Sequence, residues 1–132
     1  MRKINKIIIH CSDTPVGKHF NAKDIDNWHK QQGWECIGYH FVILLNGVVE
    51  VGRPVEKVGS HCYGENHDSI GICYIGGAGG DTRTPEQKQS LKELIKKLCI
   101  EYKISPLAVY GHNEYNKSKT CPSFNVVAKD FF

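Results

Sequence analysis

The sequence lacks the features of membrane-spanning, fibrous and disordered proteins. Its apolar stretches, such as Phe41–Leu45, are far shorter than the ~20 residues that a membrane span requires. No repeat, low-complexity segment or linker interrupts the 132 residues, and 40% hydrophobic with 23% charged residues is typical of globular proteins. We therefore expect one domain over residues 1–132, without a membrane span.

The sequence also lacks a strong excess of either positive or negative charge. Seventeen basic against 14 acidic residues give a formal net charge of +3, and no five like charges are consecutive. This balance does not predict a nucleic-acid partner, although a weakly basic protein can favour an anionic polymer. No signal peptide is evident either, because only Ile7–Ile9 follow the basic start before His10 interrupts the run. We expect a monomer that is synthesised in the cytoplasm without a signal peptide.

Compact metal-binding motifs are absent, although the chain has six cysteines and seven histidines. Neither Cys-x-x-Cys nor His-Glu-x-x-His occurs, so any metal site must combine distant segments. A disulfide framework is disfavoured because such frameworks belong to secreted chains with small cores. Four cysteines in or near apolar segments are expected to be buried free thiols: Cys36, Cys62, Cys73 and Cys99.

Short apolar and aromatic runs predict the strands. They lie at Lys6–His10, Tyr39–Leu45, Val48–Val51, Ile70–Ile75 and Leu107–Tyr110. The Asn46-Gly47 pair predicts a hairpin between the second and third runs. Strand alternation would place Tyr39 on the face of Phe41 and Ile43, away from His40.

Two segments carry helix start signals. Asn21 with Asp24 predicts a helix over residues 22–32 that ends at Gly33, and the segment Thr84–Gln87 begins a second helix that runs to about Tyr102. A short terminal helix is predicted within residues 122–132. Strands that alternate with helices, with one hairpin among them, predict an α/β domain with a central mixed β-sheet flanked by helices.

Three potential metal ligands follow strands or lie in a proline-fixed loop. His10 ends the first predicted strand, His112 follows the last one, and Cys121 precedes Pro122. Ligands of α/β sheets collect at strand ends, where loops converge. Two neutral imidazoles and one thiolate make a sensible open zinc site whose fourth position is left for water. On spacing alone, histidines that are simply hydrogen-bonded remain the commoner alternative.

Six short motifs occur in a distinctive order along nearly the whole chain. They are Ile8–Pro15 (IIHCSDTP), Gly38–Phe41 (GYHF), Gly59–His61 (GSH), Asn66–Ile72 (NHDSIGI), Gly111-His112 and Lys119–Pro122 (KTCP). In this order they resemble the zinc-dependent N-acetylmuramoyl-L-alanine amidases, a group that includes phage amidase-type lysozymes and animal peptidoglycan recognition proteins. The combination of Lys119 with Cys121 resembles the phage type most.

The resemblance implies a function and a role for each matching residue. It implies Zn²⁺ held by His10, His112 and Cys121, with Tyr39 and Lys119 as catalytic partners. His61 matches a position that lines the substrate groove. The implied reaction is hydrolysis of the amide between N-acetylmuramic acid and L-alanine in peptidoglycan, by a lytic enzyme of the endolysin type that acts on the bacterial cell wall.

Other interpretations stay open at the level of sequence. Apart from the resemblance, Tyr39 is a packing aromatic of a strand, Lys119 is a surface lysine, and Trp34 belongs to the core or to a groove wall. A peptidoglycan-binding module without catalysis is the main alternative, although such relatives typically lose a zinc ligand that this chain keeps. A zinc amide hydrolase with another substrate is a third possibility. A phage lysin, an interbacterial toxin and a recycling amidase would look alike at this level.

Overall fold

Ten short elements form the fold in a computed structural model that describes all residues, Met1–Phe132. The strands are β1 (Lys6–Cys11), β2 (Phe41–Ile43), β3 (Val49–Val51), β4 (Ser69–Tyr74) and β5 (Val109–Gly111). The α-helices are α1 (Ala22–Gln31), α2 (Pro85–Tyr102) and α3 (His112–Tyr115), and 3-10 turns lie at Asn66–Asp68 and Ala128–Phe131. None of the helices combines the length and the apolar composition that a membrane crossing requires.

The five strands form one mixed sheet in the order β3-β2-β4-β1-β5. Strand β1 pairs in parallel with both β4 and β5, and β2 pairs in parallel with β4. Only the β2–β3 hairpin is antiparallel. The predicted α/β class with a central mixed sheet is confirmed. This order places the carboxyl ends of β1 and β5 side by side, where His10 and His112 lie.

The two faces of the sheet carry different side chains. One face, called the α2 face here, belongs to a core of 18 buried residues that includes Ile7, Ile9 and Ile72 together with Leu91 and Ile95 of α2. The opposite face, called the α1 face, has a smaller cluster of five buried apolar residues: Ile25, Ile37, Val42, Cys73 and Ile75. Polar residues of β1 and β4 that include His10 and Ser69 also lie on the α1 face, so the candidate site is there.

Both predicted helix starts are capping boxes. The Asn21 side chain accepts a hydrogen bond from the Asp24 amide while the Asp24 carboxylate accepts one from the Asn21 amide, and Thr84 and Gln87 make the same pair of contacts. The Gln87 side chain is fully buried and also donates to the carbonyls of Ile43 and Ile75. Helix α2 is thereby anchored to the sheet at its first turn.

The first hairpin strand is shorter than predicted, and this changes a face assignment. Strand β2 begins only at Phe41, because the backbone at Tyr39 and His40 is irregular although it still bonds to Arg53 and Gly52. Alternation therefore does not extend to these two residues. The predicted placement of Tyr39 with Phe41 and Ile43 is wrong: Tyr39 packs with the cluster of the α1 face, and His40 is buried on that side too.

Smaller differences lie at the carboxyl-terminal end and among the thiols. Leu107 is exposed and lies in a turn before β5 instead of in the strand. The Ala108 amide closes this turn by donating a hydrogen bond to the Ser105 carbonyl. The terminal helix is only the 3-10 turn at Ala128–Phe131. All six cysteines are free. Of the four predicted to be buried, Cys62, Cys73 and Cys99 are buried, whereas Cys36 is half-buried in an irregular segment.

Candidate active site

Three side chains from distant segments meet at the carboxyl end of the central strands. His10 comes from the end of β1, His112 begins α3 directly after β5, and Cys121 lies in the following loop. Their potential ligand atoms all lie within 4.8 Å of one another. The Tyr74 hydroxyl donates to the Pro122 carbonyl at 2.6 Å, which holds the Cys121 loop against the sheet. The predicted triplet is therefore one spatial group that could hold a metal ion.

The two nitrogens of the His10 ring have different neighbours. Nδ1 lies 3.8 Å from Cys121 Sγ, whereas Nε2 lies 2.8 Å from His61 Nδ1. The His112 ring packs beside His10 with 4.7 Å between the ring centroids. His10 is 1% exposed, so its orientation is fixed by these contacts. Nδ1 is thus the nitrogen that His10 presents to Cys121.

The Cys121 sulfur has contacts that act on its ionisation in opposite directions. The backbone N–H of Cys11 donates to Cys121 Sγ at 3.2 Å, a contact that favours the anionic form of the sulfur. In the opposite sense, the hydrogen bond with the Cys11 side chain, together with burial, raises the pKa of the Cys121 thiol in the metal-free chain. A metal ion that bound the Cys121 sulfur would therefore have to displace its proton, and its affinity would fall as the pH falls.

Burial also determines the ionisation of the remaining groups. It lowers the pKa of His10 and His112, so both imidazoles are neutral near pH 7, the form that binds metals. The positive charge of Lys119 also lowers the pKa of His112. Burial raises the pKa of Tyr39 well above its usual range, so Tyr39 is a phenol that can donate a hydrogen bond.

A groove opens beside the three potential ligands. Its lining includes Trp34, Tyr39, Ser60, His61, Asn116 and Lys119, together with His112. One wall is a row of rings: Trp34 packs on His29 at 4.4 Å, His29 on Tyr39 at 5.5 Å, and Tyr39 on His10 at 5.0 Å between centroids. Four of the six predicted site residues therefore line one cavity, namely Tyr39, His61, His112 and Lys119. Trp34, 38% exposed, is a groove wall and not core.

Comparison with known proteins agrees with this arrangement. Residues 1–124 match the profile of the family described as N-acetylmuramoyl-L-alanine amidase. The chain belongs to the N-acetylmuramoyl-L-alanine amidase family. Peptidoglycan as the substrate class and amidase activity follow from that membership.

Phage endolysins are among the relatives of this amidase. It is 42% identical over 125 residues to the endolysin of Escherichia phage T7, which covers 91% of this chain and 81% of the relative. The endolysin of Klebsiella phage KP32 is 38% identical over 130 residues, covering 95% and 84%. Peptidoglycan-recognition protein SC2 of Drosophila simulans is 33% identical over 119 residues, covering 89% of this chain and 64% of the relative.

Solved structures share the fold of the amidase. The N-acetylmuramoyl-L-alanine amidase LysC from Clostridium intestinale URNW superposes with a TM-score of 0.83 at 32% identity, covering 98% of this chain and 83% of the other. Drosophila PGRP-LB superposes with a TM-score of 0.83 at 26% identity, covering 98% and 80%. The architecture described above is that of the family.

The donor set of the amidase fits a zinc ion. For tetrahedral zinc with ordinary bond lengths, a ligating nitrogen and sulfur lie about 3.6 Å apart, close to the 3.8 Å between His10 Nδ1 and Cys121 Sγ. Two neutral imidazoles and a sulfur that already accepts a backbone hydrogen bond suit Zn²⁺. A set of three leaves one position open toward the groove.

The amidase also contains a buried residue at the site, Ser69, that the sequence interpretation did not single out. Ser69 is fully buried beneath the site, and His61, only 8% exposed, has both ring nitrogens engaged by His10 and Ser69. His61 therefore lines the groove with no free nitrogen for a substrate. The available signal was the Asn66–Ile72 motif, which contains Ser69, but nothing in its spacing showed that this serine faces His61.

Proposed function

We propose that this phage-type amidase is a zinc-dependent lytic enzyme that hydrolyses the amide between the lactyl group of N-acetylmuramic acid and L-alanine of the stem peptide. Residues 1–132 form its amidase domain, and it acts on the bacterial cell wall. The observation that carries the proposal is the convergence of His10, His112 and Cys121 beside a groove that Tyr39 and Lys119 line. The endolysin relatives at up to 42% identity support the lytic role.

His10 Nδ1, one nitrogen of His112 and the Cys121 sulfur would hold the metal. When bound in such a site, Zn²⁺ activates water near neutral pH and polarises a carbonyl group. With the ion bound, the Cys121 thiolate would reduce its charge to about +1, a charge that would suit a carbonyl oxygen gaining negative charge.

Tyr39 and Lys119 supply the remaining proton and charge chemistry. No Asp or Glu lines the groove, so a carboxylate general base is not among the lining residues. Lys119 Nζ balances the negative charge that develops on the former carbonyl oxygen. The Tyr39 phenol stays protonated at neutral pH, and in this proposal its hydroxyl donates a hydrogen bond to the reacting groups, including the leaving nitrogen.

His61 remains the predicted substrate contact of the groove. Both ring nitrogens are engaged within the chain, so His61 can touch the substrate only with its carbon edge. This gives it a packing role toward the muropeptide and leaves hydrogen bonding to other groups.

Digestion of purified peptidoglycan with product analysis tests the function. We expect new amino-terminal L-alanine on released stem peptides and intact glycan strands that keep the lactyl group, both detected by mass spectrometry. The matched variant Cys121→Ala should still bind the wall but release nothing. Binding without any cleavage by the native chain would favour a recognition module. Cleavage at another bond would contradict the assigned reaction.

A further inference from the structure

We propose that His61 and Ser69 are positioning residues that hold His10 in the tautomer required for metal binding, an inference that rests on the zinc site of the proposed function. The two residues connect His10 to the backbone through one line of hydrogen bonds. His10 Nε2 lies 2.8 Å from His61 Nδ1, His61 Nε2 lies 3.1 Å from Ser69 Oγ, and Ser69 Oγ lies 2.7 Å from the Glu65 carbonyl oxygen.

The last bond fixes the direction of the whole line. A carbonyl oxygen can only accept, so the Ser69 hydroxyl donates to Glu65. Ser69 Oγ then accepts from His61, which places the ring proton of His61 on Nε2 and leaves Nδ1 bare. His61 Nδ1 must accept in turn, so the ring proton of His10 lies on Nε2. His10 Nδ1 is left with a free lone pair, directed at the side where Cys121 lies.

The opposite direction would disable the site. If His61 carried its proton on Nδ1, two N–H groups would face each other across 2.8 Å unless His10 moved its proton to Nδ1. His10 Nδ1 would then have no lone pair for a metal. A hydrogen bond from the second nitrogen of a ligating histidine generally fixes its tautomer and ring orientation. Here the Ser69 hydroxyl, two hydrogen bonds away from His10, determines the tautomer of His10.

The backbone packs closely against the ring of His61. A Cβ on Gly71 would lie 2.6 Å from His61 Cγ, and a Cβ on Gly59 would lie 2.8 Å from His61 Cδ2, so the ring rests directly on glycine backbone. The amides of His61 and Cys62 both donate to Asn66 Oδ1 at 2.9 Å, which holds the loop. The line of hydrogen bonds from His10 through His61 and Ser69 to the Glu65 carbonyl, called the relay here, is thus part of the fold before any metal binds.

Zinc affinity of the full chain, measured by competition with a chromogenic chelator, tests the relay. His61→Leu should lower affinity by about 10- to 100-fold, the usual effect of losing such a partner, with an unchanged circular dichroism spectrum. His61→Asn should recover most of the loss, because the amide oxygen can occupy the position of Nδ1. Ser69→Ala should lower affinity as well. The control Ser90→Ala, which removes a comparable hydroxyl bond to the Gly47 carbonyl, should have no effect.

Imidazole ¹⁵N spectra of the metal-free chain give a second readout that does not depend on activity. We expect the His10 proton on Nε2 in the native chain and a mixture of tautomers in His61→Leu and Ser69→Ala. A His10 proton on Nδ1 in the native chain would overturn the relay. Unchanged zinc affinity in both His61→Leu and Ser69→Ala, or equal losses in His61→Leu and His61→Asn, would also overturn it.

These readouts separate failure of the relay from failure of the proposed function. A native chain that binds no zinc would contradict the proposed function, while the metal-free spectra would still decide the tautomer. A native chain that binds zinc with the same affinity as its relay variants would contradict only the relay. If His61→Leu does not fold, Ser69→Ala alone is used for the test, because it removes only one hydroxyl group.

Discussion

The two faces of the sheet have different roles: the α2 face stabilises the fold, and the α1 face carries the candidate active site. On the α2 face, alternate residues of β1 and β4 such as Ile7, Ile9 and Ile72 are fully buried in the main core. On the α1 face, the residues between them include His10, Ser69 and Gly71, which are polar or lack a side chain. Because neighbouring residues in a strand point to opposite faces, the same backbone serves both purposes.

The comparison explains how a small domain tolerates a polar interior. Buried histidines and a buried serine stabilise a fold only when their hydrogen bonds are satisfied. His10, His61 and Ser69 satisfy each other, while the apolar contacts with α2 stabilise the sheet from the other side. We therefore expect substitutions on the α1 face to change metal binding and catalysis, and substitutions on the α2 face to change mainly the free energy of unfolding.

The largest effect is expected for His10→Ala. This change removes a proposed metal ligand on the α1 face and leaves every contact of the α2 face in place. Bound zinc and cleavage of peptidoglycan should both fall to background, while the circular dichroism spectrum is retained. Elemental analysis and a wall-digestion assay measure the two losses. Cleavage at the native rate by a zinc-free His10→Ala variant would contradict the assignment of the active site to the α1 face.

Lys119→Ala should have the next largest effect. An aimed donor to a developing oxyanion typically contributes ~10²–10³ in rate, so turnover should fall by about that factor with zinc and fold intact. Lys119→Arg should restore little, because a planar guanidinium does not replace a compact ammonium. The nearby exposed Lys117→Ala serves as the control and should be neutral. Unchanged turnover with a salt-dependent loss of affinity would make Lys119 only a surface contact for the wall.

Ile72→Ala probes the α2 face. Ile72 is fully buried in the main core, and removing such a side chain typically lowers the free energy of unfolding by about 2–5 kcal/mol. Chemical denaturation measures that loss. Zinc affinity and turnover, measured well below the unfolding transition, should match those of the native chain. A substantial drop in zinc affinity would show that the two faces are coupled.

The smallest effect concerns His40 and pH. Burial lowers the pKa of His40 to about 4, from an ordinary value of 6.5. Between these values the unfolded chain binds the additional proton, so the free energy of unfolding falls as the pH drops from 6.5 toward 4. The contribution is at most about 1.4 kcal/mol per pH unit.

Denaturation of the metal-free chain at several pH values measures this slope. His40→Asn can still accept from the Gly71 amide, the partner of His40 Nδ1, and should flatten the slope. The same slope in the native chain and in His40→Asn would assign the pH dependence to other groups of the α1 face.

Sequence reasoning succeeded where the determining interactions are local. The three isoleucines of β1, the Asn46-Gly47 turn and the two capping boxes each depend on neighbouring residues, and the structure contains all of them. The single-turn helix α3 was not predicted, because four residues carry no periodicity. The irregular backbone at Tyr39 likewise has no signature in the residue pattern, which reads as continuous strand.

The candidate residues of the site could be named from the sequence, but their geometry could not. Strand ends brought His10, His112 and Cys121 to attention, and the family motifs added Tyr39 and Lys119. The contact between His10 and His61 joins residues 51 positions apart, and its meaning depends on which ring nitrogen carries the proton. That information lies in the hydrogen bond between Ser69 and the Glu65 carbonyl, which only the folded backbone reveals.

The most direct test of the account is a zinc titration of the metal-free chain, with release of L-alanine amino termini from peptidoglycan as the readout. The account predicts no cleavage before zinc is added and a rate that saturates at one equivalent per chain. Removal of the metal by a chelator should abolish cleavage again, and renewed zinc should restore it. Full cleavage by the chelated chain, with no metal detected by elemental analysis, would contradict the claim that the α1 face holds a zinc-dependent amidase site.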